Sequence, residues 1–192
     1  MELESASDGN ITRQLILIVI LTLINAFFAS AEMAIVSLNK NKIKLLAEEG
    51  NKKAKLLLKF TKEPTRFLST IQVGITLAGF FSSASAATGL TDNFAEVLTN
   101  LNIPYSKQIA LVSITIALSY ITLVFGELFP KRVALQRSEA IAMFSVMPIF
   151  YVSKVALPFV KLLSASTNLI VKITGIDNDG LEEKVSKEEI KS

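Results

Sequence analysis

Gln108–Lys131 reads QIALVSITIALSYITLVFGELFPK: an uncharged apolar run from Gln108 to Gly126, closed by an acid, a proline and a base. About 20 apolar residues are needed to cross a bilayer, so this run is long enough to span. An ionisable residue at the edge of such a run is costly to place there, which makes Glu127 a functional-site candidate. Pro130 has no backbone N–H and biases Phe129 away from helix, which predicts free carbonyls beside the carboxylate. An acid next to unwound backbone inside a membrane protein is an arrangement that binds cations. The local salt bridge from Glu127 to Lys131 is the competing reading. It is expected to lose its regular i,i+4 geometry if Pro130 breaks the helix between the pair.

Two further apolar runs precede this one. Gln14–Leu38 is interrupted only by Glu32, and Phe67–Leu90 is uncharged and rich in Ser, Ala and Gly. Half of the 192 residues are hydrophobic and 19% are charged, and the apolar residues are gathered into these runs. The composition therefore indicates an all-α integral membrane protein with three spans, at about 14–38, 67–90 and 108–128. Between the first two runs, Asn39–Arg66 carries nine Lys/Arg against three Glu, which places it on the cytoplasmic side. Glu2, Glu4 and Asp8 put the N-terminus outside, and Lys131, Arg132 and Arg137 fall inside. Leu15–Phe28 followed by Ala29-Ser30-Ala31 has the outline of a cleavable signal. The acidic flank ahead of it and the apolar residues continuing to Leu38 favour a retained span.

In the basic segment, Ile43, Leu46, Ala47, Ala54, Leu57 and Leu58 recur at helical spacing, with Gly50 as a break. This predicts juxtamembrane helices over about 40–62, lying at the interface against anionic lipid rather than nucleic acid. Ala140–Val171 contains Lys154 and Lys161 and is interrupted by Pro148 and Pro158. It reads as short juxtamembrane or re-entrant cytoplasmic helices over about 132–174, not as a fourth span. Residues 1–180 thus form one membrane domain. The charged stub 181–192 reads as the start of a linker to a cytosolic domain.

With no Cys and no His, thiol nucleophiles, histidine bases and Cys/His zinc sites are excluded, and no enzymatic motif is present. A bound metal would be a hard cation held by oxygen. Asn25, Ser30 and Ser37 supply polar oxygen on the first span. Gln72 and Thr76, four residues apart, form a polar stripe on the second, beside Gly74 and Gly79. Glu32 has two equal readings, reaching water or reaching a basic residue. Gly79 and the small residues Ser82–Ala87 suit a close helix–helix contact, which predicts a homodimer packed through the second and third spans.

Phe27–Glu32 with Ala34–Asn39, Phe67–Gly79 and Gly126–Lys131 together resemble the CNNM/CorC family of magnesium transporters, whose bacterial members often carry the label hemolysin-like. The match covers all three spans in order. The resemblance implies a homodimeric domain that moves Mg²⁺ and exports it in exchange for Na⁺. It further implies that paired CBS domains follow the stub, so that ATP acts only through domains absent from this chain. For the ion site it implies Glu127 and the Gly126 carbonyl, with Gly74 in the second motif. Two positions depart from the family pattern: Ala29 stands where many members have Ser, and Ile75 where several have Asn. Either Ser30 and Thr76 take their place as metal ligands, or the ion is coordinated differently here. The rival functions are a non-transporting membrane scaffold or regulatory subunit, and a pore-former. Polar residues confined to a few levels argue against a pore.

Overall fold

The computed structural model describes residues 2–62 and 64–174, and every element among them is helical. In chain order these are α1 (Glu2–Val36), α2 (Lys40–Glu48), α3 (Lys52–Lys62), α4 (Pro64–Asn100) and α5 (Ser106–Leu123). A π-helical turn (Val124–Leu128), α6 (Phe129–Gln136) and α7 (Ser138–Thr174) follow. Contacts divide the chain into two units, residues 1–153 and the stretch from Lys154, and the candidate site lies wholly within the first.

Helix α4 packs against both α1 and α5, and α1 also packs on the π turn and α6, with small side chains buried along these helices. Ala29, Ala31, Ala34, Ala78, Ala86 and Ala110 are all buried, and small residues let helix backbones approach closely where no hydrophobic force drives association. Gly74 lies close against α1: a Cβ there would be 2.7 Å from the Phe28 ring. Leu15, Ile16, Val19, Ile20 and Leu23 point outward from α1, and Ile116, Tyr120 and Ile121 from α5. In water such apolar surface would be a liability; for a helix in lipid it is the expected exterior.

Among the described residues, four helical stretches are long and apolar enough to cross a membrane: Ile11–Val36, Phe67–Asn100, Ser106–Gln136 and Ser138–Thr174. This corrects the expectation of short helices in the last region. One 37-residue helix runs through both Pro148 and Pro158. Each proline removes one backbone donor but leaves the rest of the ladder intact, and apolar surroundings hold a helix together across such gaps.

The basic segment forms two helices whose apolar stripe is turned inward. Its break is at Gly50, whose φ of +96° is left-handed and strained for any residue with a Cβ. Asn39 and Asn51 cap the two helices, each side-chain oxygen accepting from two backbone N–H groups. Ile43, Ala47, Ala54 and Leu57 are all at most 5% exposed. They join Phe28, Phe67 and Ile71 together with Val146 and Ile149 of α7 in the main core. The apolar stripe therefore faces protein, and the lysines from Lys40 to Lys59 are exposed.

Candidate functional site

The residues that decide the site lie where α5 gives way to α6. Here the helix takes one extra residue per turn: Phe129 donates its backbone N–H to the Val124 carbonyl, five residues back. Such π turns inside helices concentrate at functional sites because they re-aim side chains and loosen the carbonyl ladder. The sequence supplies a cause. In regular helix Pro130 would donate to the carbonyl of Gly126, and it has no N–H to give. That carbonyl instead accepts the side-chain amide of Asn25 on α1, at 3.2 Å. Gly126 is needed for the contact, since a Cβ there would sit 3.1 Å from Asn25 Nδ2.

Beside this contact is a cavity of about 350 Å³ between α1, α4 and α5. Its polar lining is Asn25, Thr76, Ser83, Ser119, Thr122 and Glu127. Two of these residues carry buried oxygens with no hydrogen-bond partner, Asn25 Oδ1 and Thr122 Oγ1. Unsatisfied buried oxygens are costly and call for a ligand, an ion or water. The donor set is one carboxylate and several neutral oxygens, which suits a hard cation and no soft one. Among the described residues there is no cluster of three or more Asp/Glu side chains.

Of the five ligands expected from sequence, Glu127 and Thr76 line the cavity, and Gly126 abuts it through Asn25. Ser30 is not brought to it. Its hydroxyl donates to the Ala26 carbonyl at 2.7 Å, the ordinary role of an isolated serine in an apolar helix. Gly74 packs on Phe28 instead. Asn25, Ser83, Ser119 and Thr122 were not singled out as ligands. A helical stripe does mark part of this set: Thr22, Asn25, Ala29 and Glu32 fall at i, i+3, i+7 and i+10 on one face of α1.

The charged part of the site overturns one expectation. The chain stays helical through Pro130, because the π turn and the Asn25 side chain take up the bond its nitrogen cannot make. The i,i+4 pair therefore forms, with Lys131 Nζ donating to Glu127 Oε1 at 2.8 Å. Glu32 reaches the same ammonium, at 3.3 Å. The side chains are each between one-quarter and about one-third exposed. Two acids and one base leave the group with a formal charge of −1.

Comparison with known proteins places the chain in a family. The family described as Cyclin M transmembrane N-terminal domain (CNNM) matches residues 16–192. The chain belongs to the CNNM family. Its relatives include UPF0053 protein sll0260 of Synechocystis, 34% identical over 96% of this chain and 41% of the relative. UPF0053 protein YhdP of Bacillus subtilis is 31% identical over 91% of this chain and 40% of the relative. The UPF0053 inner membrane protein YfjD of Escherichia coli is 26% identical over 88% of this chain and 37% of the relative. This CNNM domain thus spans about two-fifths of the length of the curated relatives it matches. It is a membrane-embedded, multi-helix domain.

Proposed function

We propose that this CNNM domain binds Mg²⁺ in the cavity beside the π turn and carries it across the cytoplasmic membrane, exporting it in exchange for Na⁺. The observation that carries the reading is the meeting of Glu127 with the oxygens of Asn25, Thr76 and Thr122 in one cavity. Mg²⁺ takes a near-octahedral oxygen shell and dehydrates reluctantly, so one carboxylate, neutral oxygens and retained waters form a reasonable set. Gly126 contributes by holding Asn25, and Glu127 supplies the charge. The N-terminus lies outside in this reading, by the distribution of Lys and Arg. The domain works as a homodimer with one ion site per protomer.

The scaffold reading has one observation in its favour, the existing pair between Glu127 and Lys131. Glu127→Gln separates the two. It preserves shape and removes the charge, and Mg²⁺ titration of the purified protein, with Na⁺-driven Mg²⁺ flux in liposomes, reads the result. Loss of both binding and flux is the expected outcome. Mg²⁺ binding equal to wild type would assign Glu127 to structure.

A further inference from the structure

Lys131 is not among the residues that line the cavity, yet it already bonds the carboxylate a cation there would need. Its ammonium touches Glu127 of the π turn and Glu32 of α1 at once, at 2.8 and 3.3 Å. Among the described residues, the one carboxylate lining the cavity is thus already held by a cation of the protein's own. We propose that Lys131 is an internal competitor for the site, holding Glu127 while the site is empty and passing to Glu32 when Mg²⁺ binds. The inference rests on the reading of Glu127 as the Mg²⁺ ligand.

Three features carry it. Firstly, the transfer is short. Nζ is nearer Glu127 by about 0.5 Å, the difference of the two distances, and a lysine stem has the torsional freedom to exchange that preference. Secondly, Glu32 is positioned to receive the ammonium by the helix that also holds the π turn. Asn25 and Glu32 lie seven residues apart on one face of α1, the first bonded to Gly126 and the second to Lys131. Thirdly, every charge keeps a partner. An unpaired carboxylate in a partly desolvated site is costly, and so is an unpaired ammonium. With two acids and one base, neither state leaves an orphan: Lys131 screens Glu127 when the site is empty, and Glu32 screens Lys131 when Mg²⁺ holds Glu127. The device also sets an affinity ceiling, because Mg²⁺ must displace a bonded ammonium. That suits a carrier that has to release its ion.

The test is a double-mutant cycle on the full chain in detergent, titrated with MgCl₂ by calorimetry. Lys131→Gln removes the competitor and is expected to bind Mg²⁺ about tenfold more tightly or better, as removing a like charge a few ångströms away should. Glu32→Gln removes the acceptor and is expected to weaken binding about threefold or more. In the Lys131→Gln background, Glu32→Gln should change affinity by less than about twofold, since Glu32 acts through Lys131. Weaker or unchanged binding by Lys131→Gln overturns the proposal. So does an equal loss from Glu32→Gln in both backgrounds, which would mark simple long-range attraction. Should Lys131→Gln fail to fold, Lys131→Met keeps the apolar stem and replaces it in the cycle. Wild type that binds no Mg²⁺ removes the site and the competitor together. Wild type that binds, Glu127→Gln that does not, and Lys131→Gln that matches wild type overturn the competitor alone.

Discussion

Replacing Gly126 with alanine probes the joint between α1 and the π turn. A Cβ there would lie 3.1 Å from Asn25 Nδ2, 3.4 Å from Thr22 Cγ2 and 3.5 Å from Asn25 Cβ. Apolar contacts settle near 3.5–4.0 Å, so the amide must retreat by about 0.4 Å. The Asn25–Gly126 hydrogen bond is already long at 3.2 Å, and that retreat takes it past the range of a real bond. Asn25 is 4% exposed and its Oδ1 has no partner, so the whole amide would then be buried and unsatisfied. A buried donor left unpaired costs about 1–3 kcal/mol, offset by about 1 kcal/mol because alanine favours helix over glycine. The net expectation is a loss of about 1 kcal/mol, read as a fall of about 2–4 °C in the melting temperature for a chain of this size. Mg²⁺ affinity should fall about tenfold, the equivalent of 1.4 kcal/mol, as Asn25 is pushed out of register. Gly79→Ala is the control. Gly79 lines the same cavity, yet nothing lies within 4 Å of its Cβ position. That variant should match or slightly exceed wild type in stability. Calorimetric Mg²⁺ titration and thermal unfolding in detergent measure both variants. If Gly126→Ala behaves as wild type, or Gly79→Ala is as damaging, the Asn25–Gly126 joint does not organise the site.

Gly50→Ala should destabilise the protein by about 1–2 kcal/mol through backbone strain, because open space surrounds the position while φ is +96°; thermal unfolding measures it, and no loss would mean the turn relaxes freely. Phe28→Ala should cost about 3–5 kcal/mol by opening a cavity against Gly74 in the main core, with a loss below 1 kcal/mol in denaturant or thermal unfolding counting against that packing. Ala84, exposed on α4, lies in the run of small residues expected to meet a second protomer. Ala84→Leu should convert dimer to monomer in native mass spectrometry while leaving the protomer folded, and wild type that is monomeric in mild detergent would refute the interface.

The patterns that depend on nearest neighbours along the chain were legible in the sequence. Runs of apolar residues gave an all-helical membrane domain, and the resemblance at Phe27–Asn39, Phe67–Gly79 and Gly126–Lys131 gave the family. Helical spacing gave the stripe at Ile43, Ala47, Ala54 and Leu57. Spacing along a helix says which residues share a face, but not what that face meets. Whether the stripe packs on lipid or on α7 was therefore decided only in three dimensions. Pro130 shows the same boundary. The sequence says that it lacks a donor, and a missing donor predicts a break. Only the tertiary structure reveals that Asn25, a hundred residues earlier in the chain, takes up the freed Gly126 carbonyl, while a π turn absorbs the misfit and keeps Lys131 in reach of Glu127. Ser30 and Asn25 are equally polar as letters, yet one satisfies itself on its own helix and the other faces the cavity. A local backbone acceptor is within reach of any helical serine, whereas the longer amide needs a partner across a helix interface. That partner exists only once the helices have packed.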